Sequence, residues 1–88
     1  MNYRIEFSKN ALKDLKNIKR NPNYSRVVKN ILGVLENDPF TPPYEKLIGN
    51  LSQMYSRRIN IQHRIVYTVH EDTKTIRILS TWSHYENL

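Results

Sequence analysis

The sequence contains no cysteine and only two glycines among its 88 residues. The absence of cysteine excludes disulfide scaffolds and thiolate metal sites, and it is compatible with a reducing compartment. No stretch approaches the ~20 consecutive apolar residues that a membrane-spanning helix needs. The first ten residues also lack the apolar segment of a secretory signal. We therefore expect a cytoplasmic protein with no membrane partner.

Length and composition predict one folded domain over residues 1–88. Hydrophobic residues make up 39% of the chain and charged residues 25%, a balance typical of a globule and not of a disordered tail. A chain of this length is near the lower limit of what one hydrophobic core can support. The net charge of +6 predicts attraction to polyanions or to an acidic protein. Lysines on solvated helix faces are the alternative explanation of that charge.

The first half of the chain predicts a strand followed by two helices. Residues 3–7 alternate between apolar and charged side chains, as in a half-buried strand. An amphipathic pattern then runs from residue 8 to about residue 19. A second helix begins with Asn21 or Asn23 as its cap, and it ends before Pro39, because proline disfavours helix at the preceding residue.

The second half predicts a sheet. Residues 40–44 form a stiff connector to a short strand or turn and a loop at residues 45–53. Residues 64–69 and 75–82 are the best strand candidates, and the polar segment 70–74 forms a turn between them. The predicted fold class is α+β. It consists of a β-α-α unit followed by an antiparallel meander of three or four strands, with both helices on one face.

Two arginines, Arg58 and Arg64, lie within the predicted strands. A two-residue turn at Ile61-Gln62 would point them to opposite faces and place one charge against the core. A three-residue turn, Asn60-Ile61-Gln62, pairs residue 58 with residue 64 instead. The apolar side chains that would then face the helices are Ile59, Ile65, Tyr67 and Val69. We predict this odd-length connection, with both arginines on the solvent-exposed face opposite the helices.

Two adjacent guanidinium groups repel each other, so their pairing predicts a phosphate-rich ligand between them. The alternative is that each arginine pairs with a carboxylate of the sheet. Glu6, Glu45 and Glu71 are the candidates for such pairing.

The C-terminal half resembles a known family. The motifs that carry the resemblance are Glu45-Lys46-Leu47, Leu51-Ser52, Tyr55-Ser56-Arg57-Arg58-Ile59-Asn60, His63-Arg64-Ile65-Val66-Tyr67-Thr68-Val69 and Trp82-Ser83-His84-Tyr85. In this order they resemble the YoeB/Txe toxins of the RelE superfamily. The N-terminal half agrees with that family only in its β-α-α pattern.

The resemblance implies a RelE-like fold and a toxin of a type II toxin-antitoxin system that cleaves messenger RNA on the ribosome. It implies that Glu45 is the general base and His84 the general acid. It also implies that Arg64 and Arg58 contact the scissile phosphate and that Tyr85 lies beside the acid. We assign no chemistry to Arg57 or His63, and we expect Trp82 to be a core residue.

The chain departs from the family pattern at three places. Pro42-Pro43-Tyr44 precedes the glutamate where members often carry Gly-Lys-Pro, and Ile48 stands where they have a lysine. Lys46 is a candidate replacement for that lysine in binding substrate. Residues 86–88 extend past Tyr85 as a short tail that many relatives lack.

The chemistry implied for these residues needs no metal and no cofactor. RNA carries its own nucleophile, the 2′-hydroxyl, so cleavage needs a base, an acid and cations at the phosphate. The ordinary pKa of histidine is about 6.5, so a histidine such as His84 can supply a proton near neutrality. The three histidines also lack the spacing of a metal-binding motif.

Two other function classes remain open at this point. One is a non-catalytic, ParE-like toxin that binds and poisons DNA gyrase. The other is an RNA-binding module without chemistry. For the toxin we expect an acidic, partly disordered antitoxin as partner, besides the ribosome and messenger RNA. A homodimer is compatible with the family, although nothing in the residues requires it.

Overall fold

The computed structural model describes residues 2–47 and 54–84, except for the side chains of Ser83 and His84. Its elements in chain order are β1 (Arg4–Phe7), α1 (Lys9–Ile18), α2 (Pro22–Asn37), β2 (Glu45–Lys46), β3 (Tyr55–Arg58), β4 (His63–His70) and β5 (Thr75–His84). The predicted α+β class and the β-α-α order are confirmed.

Both helices begin at side-chain caps. The Ser8 hydroxyl accepts a hydrogen bond from the backbone N–H of Ala11 at 3.1 Å, and α1 starts directly after it. Of the two caps predicted for α2, Asn21 is the one used, because its side chain accepts from the N–H groups of Asn23 and Tyr24. Pro22 then occupies the first helical position, where its missing N–H leaves no bond unmade.

The strands described form one mixed sheet in the order β1-β5-β4-β3-β2. The antiparallel meander predicted for the second half is confirmed, because each strand from β2 to β5 pairs antiparallel with the next strand along the chain. The sequence did not indicate the partner of β1. That strand pairs parallel with β5, with Ile5 opposite Ile76, so the first strand of the chain lies beside the last.

The core lies between the helices and one face of the sheet. Its buried members are Ala11, Ile18, Val28, Ile31, Leu35, Ile65, Tyr67, Ile76 and Ile78. The predicted helix-facing residues are confirmed, because Ile59 and Val69 pack against this cluster and Ile65 and Tyr67 belong to it. Burial of this set supplies most of the stabilisation, at about 25 cal/mol per Å² of apolar surface removed from water.

One polar contact ties α1 to an irregular part of β5. The Asp14 carboxylate accepts from the Ser80 hydroxyl at 3.0 Å and from the backbone N–H of Thr81 at 3.1 Å. The register between β4 and β5 shifts beside Val66, which pairs with Ser80. Such a bulge leaves a backbone N–H without a ladder partner, and Asp14 supplies the acceptor.

Neither helix of the described residues combines the length and the apolar character needed to cross a bilayer.

Candidate active site

The hairpin between β3 and β4 has the register that the predicted odd-length connection requires. Arg58 pairs with Arg64 across the two strands. Asn60 organises the connection, because its side-chain oxygen accepts from the N–H groups of Gln62 and His63, each at 2.8 Å. The odd-length connection is confirmed. Since Ile65 points into the core, strand alternation places Arg64 and Arg58 on the opposite face.

The two arginines differ in exposure, which corrects the expectation that both are open to solvent. Arg58 is exposed, whereas Arg64 is only 2% exposed. Arg64 lies on β4, which has a neighbouring strand on each side. Its Nη1 donates to the hydroxyl of Ser56 at 2.8 Å, and a buried cation of this kind requires such partners.

Glu45 is the carboxylate partner of Arg64. The distances are 3.1 Å from Nη1 to Oε2 and 3.3 Å from Nη2 to Oε1. Of the alternatives that the sequence left open for Arg64, pairing with Glu45 is therefore the one found. The Glu45 side chain is 60% exposed, so its carboxylate has access to solvent while it contacts a buried cation.

The connector before β2 places Glu45. Glu45 pairs with Ser56 in the sheet, and so it shares a face with Arg58 and Arg64. Arg57 points to the other face, because successive residues of a strand alternate between faces, and its Nη1 donates to the carbonyl of Thr41 at 2.6 Å. This bond anchors the connector to β3.

Aromatic rings fill the space beneath the connector. Phe40 lies 5.7 Å from Tyr44 and 5.2 Å from Tyr55, in edge-to-face contacts that favour this arrangement. These ring contacts hold Tyr44, the residue that directly precedes Glu45, against Phe40 and thereby help to fix the start of β2.

Glu45, Arg58 and Arg64 line an open pocket of about 420 Å³. Its lining residues are Pro43, Tyr44, Glu45, Ser56, Arg58 and Arg64. One carboxylate, two guanidinium groups and two hydroxyl groups therefore converge on one space. An arrangement of this kind can bind a phosphate through the arginines while it holds a proton acceptor beside it.

Lys46 is not brought to this pocket. It pairs with Tyr55, in the register position that alternates with that of Glu45. Sequence reasoning missed three of the pocket-lining residues, Pro43, Tyr44 and Ser56. Of these, Ser56 is fully buried beside Arg64. Its signal was available, because Ser56 stands two positions before Arg58 and shares its face.

The remaining predicted site residues lie at the end of β5. The backbone of Ser83 pairs with Arg64, and that of His84 pairs with His63. The side chain of His84 and all of Tyr85, like Ile48 and the tail 86–88, lie outside the described residues. The acid role of His84 and the place of Tyr85 stay predictions.

One further prediction concerns Trp82, at the end of β5. Trp82 packs against the core as expected. Among residues 2–47 and 54–84 no group of three or more histidine or acidic side chains is arranged to hold a metal ion.

Residues 7–85 match the family described as YoeB-like toxin of bacterial type II toxin-antitoxin system. Toxin YoeB of Mycobacterium bovis is 36% identical over 63 residues, which cover 69% of this chain and 72% of that protein. The YoeB dimer from Staphylococcus aureus has a TM-score of 0.82 at 34% identity and covers 97% of this chain and 100% of its own. The heterotetrameric YoeB-YefM toxin-antitoxin complex from that organism has a TM-score of 0.80, with the same identity and coverage.

Proposed function

The chain belongs to the YoeB-like toxins of bacterial type II toxin-antitoxin systems, and we propose that it is a ribosome-dependent endoribonuclease that cleaves messenger RNA. The observation that carries this proposal is the Glu45–Arg64 pair in an open pocket that Arg58 also lines. A gyrase-binding toxin or a passive RNA-binding module does not need a proton acceptor beside two phosphate-binding groups.

The proposed reaction uses the nucleophile of the substrate itself. Glu45 accepts the proton of the 2′-hydroxyl, and the 2′-oxygen attacks the adjacent phosphorus. Arg64 and Arg58 stabilise the negative charge that develops on the phosphate oxygens. The bond from phosphorus to the 5′-oxygen breaks, and His84 donates a proton to that leaving oxygen. The products are a 2′,3′-cyclic phosphate and a 5′-hydroxyl end.

The resting ion pair gives this reaction a defined first step. Arg64 is held by Ser56 and by burial, whereas Glu45 is held by Arg64 at the surface. A phosphate that enters the pocket competes with the carboxylate for the guanidinium nitrogens. Exchange of these partners leaves Arg64 in place and releases Glu45 as a proton acceptor next to the bound nucleotide. Completion of the site by the ribosome would favour the exchange, because it excludes water and strengthens electrostatic contacts.

We propose an antitoxin and a second copy of the chain as protein partners, besides the ribosome and its message. The S. aureus relatives form a YoeB dimer and a YoeB-YefM toxin-antitoxin complex. The net charge of +6 favours an antitoxin with an acidic segment. Translating ribosomes place this activity in the cytoplasm.

Purified protein should be incubated with translating ribosomes and a defined message, and separately with DNA gyrase and plasmid. We expect cleavage of the message only when ribosomes are present, and no effect on plasmid supercoiling. His84→Ala should lose cleavage, whereas His70→Ala is the matched control, because His70 lies on β4 at the turn end of that strand. Inhibition of gyrase without cleavage would refute the proposal.

A further inference from the structure

A second cluster of polar and aromatic side chains lies outside the pocket. The His63 ring is 4.3 Å from the Trp82 ring and 5.6 Å from the Tyr24 ring, and the Tyr24 and Trp82 rings are 4.6 Å apart. His63 is 7% exposed. The cluster joins α2, the start of β4 and the C-terminal part of β5. The proposed reaction uses none of these side chains.

The hydrogen bonds of Asn60 determine which groups of the cluster donate a hydrogen and which accept one. The Asn60 side-chain oxygen is engaged by the backbone N–H groups of Gln62 and His63. This fixes the orientation of the amide, since only an oxygen can accept both bonds. The Nδ2 group therefore donates, and its acceptor is the Tyr24 phenol oxygen.

The Tyr24 phenol in turn determines whether Nδ1 of His63 donates or accepts a hydrogen. Tyr24 hydrogen-bonds to Nδ1 of His63. Because the phenol oxygen already receives a hydrogen from Asn60, its own hydrogen is available for Nδ1. An Nδ1 that accepts a hydrogen bond belongs to a neutral imidazole with its proton on Nε2.

His63 is also connected to both parts of the proposed site through the backbone. It directly precedes Arg64, and it pairs with His84 on β5. Its carbonyl oxygen accepts from the N–H groups of Ile59 and Asn60 at 2.9 and 3.3 Å. A change in how its ring is held would therefore reach the hairpin, Arg64 and the end of β5 together.

We propose that His63 is a positioning residue, held as the neutral Nε2–H tautomer by the relay from Asn60 through Tyr24, and that it fixes Arg64 relative to the end of β5. This role rests on the proposed function, because it concerns the cleavage reaction. His63 does not touch the substrate. Because His63 makes no contact with substrate, its loss should change kcat and not KM. Misplacement of a reacting group by ~1 Å can cost about 100-fold in rate.

Three substitutions separate this role from simple packing. His63→Asn keeps an acceptor near the position of Nδ1, His63→Gln places its polar group nearer Nε2, and His63→Leu keeps only apolar volume. We expect His63→Asn to stay within about 3-fold of the wild-type kcat. The other two variants should lose roughly 10- to 100-fold in kcat with little change in KM. Equal kcat values for all three variants and the wild type would overturn the positioning role.

The tautomer can be measured without any cleavage assay. Two-bond ¹H–¹⁵N correlation spectra of ¹⁵N-histidine-labelled protein distinguish Nε2–H, Nδ1–H and imidazolium forms. For His63 we expect Nε2–H in the wild type at neutral pH. In Asn60→Asp the carboxylate still accepts both backbone bonds but draws the phenol hydrogen to itself, so His63 must donate and should change to Nδ1–H.

The two readouts separate the two proposals. An Nδ1–H or imidazolium form in the wild type, or an unchanged tautomer in Asn60→Asp, would overturn the relay. Tyr24→Phe is a second variant that removes the phenol, and it should also change the His63 spectrum. A wild-type protein that fails to cleave message on ribosomes would refute the proposed function, whatever the spectra show.

Discussion

The guanidinium of Arg64 and the carboxylate of Glu45 form a two-point ion pair, in which Arg64 is buried and Glu45 is largely exposed. This asymmetry decides which partner can move. The Arg64 side chain is buried and hydrogen-bonded to Ser56, so it cannot move without breaking these contacts. The Glu45 side chain is largely exposed and needs only to turn toward solvent. The pair is therefore suited to exchange its anion for a phosphate while the cation stays fixed.

The first prediction concerns the stability cost of Arg64. Desolvation of a buried ion pair often cancels its Coulomb energy, and apolar residues of similar volume can replace it at no loss. Arg64→Met should therefore melt at or above the wild-type temperature, measured by circular dichroism. Its single-turnover cleavage rate on ribosomes should fall by at least ~100-fold, about 3 kcal/mol. Arg64→Lys keeps the charge without the fork and should be intermediate. Full activity of Arg64→Met would contradict the phosphate role.

The second prediction concerns Glu45 as the base. Glu45→Gln keeps the size of the side chain but cannot take a proton, so its single-turnover rate should fall by about 10²- to 10⁴-fold. Glu71→Gln is the matched control, because Glu71 is an exposed carboxylate in the turn between β4 and β5. The control should cleave at the wild-type rate. If both variants cleave equally, Glu45 is not the base.

Parity in the sequence was enough to place the two arginines. Residues 58 and 64 can pair only across an odd-length connection, and the apolar alternation of Ile65 and Tyr67 excluded the other register. The cap alternatives at Asn21 and Asn23 differ by two residues, and local patterns do not separate them. Hydrophobic periodicity thus predicted the helices, the meander and the face of the site.

Other features depend on contacts between distant parts of the chain, which periodicity does not contain. The parallel pairing of β1 with β5 joins residues about seventy positions apart, as with Ile5 and Ile76. The bulge at Ser80 is satisfied by Asp14 from a helix. The burial of Arg64 follows from the central place of β4 in the sheet, and no pattern within β4 reports its neighbours.

The third prediction concerns the antitoxin. The charge of +6 should speed encounter with an acidic, partly disordered antitoxin, and salt should screen that attraction. We expect the association rate, measured by stopped-flow fluorescence of Trp82, to fall steeply between low and physiological salt. The dissociation rate should change less. An association rate independent of salt would mean that the charge plays no part in the encounter.

The fourth prediction concerns the pH dependence of stability. The Glu71 carboxylate accepts from Lys74 at 3.0 Å and from the Tyr3 hydroxyl at 2.9 Å. The bond from Lys74, followed by that from Tyr3, lowers the pKa of Glu71 below its usual 4.5. A lowered carboxyl pKa stabilises the fold above the usual value, and the contribution is lost as pH falls through the folded-state pKa.

The same cluster acts in the opposite direction at high pH. The hydrogen bond to Glu71 raises the pKa of Tyr3 above 10.0 and that of Lys74 above 10.5. Their contributions are present below those values and are lost as pH rises through the folded-state pKa values.

Glu71→Gln should therefore lower the melting temperature near neutral pH and match the wild type at strongly acidic pH. A difference that persists unchanged at acidic pH would contradict this assignment.

The central claim is that the 2′-hydroxyl of the message is the nucleophile, and the ends of the cleaved RNA test it most directly. A message cut on ribosomes should be analysed for its terminal groups beside a copy with a single 2′-deoxy nucleotide at the cut site. We predict a 2′,3′-cyclic phosphate, or its hydrolysis product, on one fragment, a 5′-hydroxyl on the other, and no cleavage of the 2′-deoxy message. A 5′-phosphate with a 3′-hydroxyl, or cleavage of the 2′-deoxy message, would show that water is the nucleophile and would contradict the account.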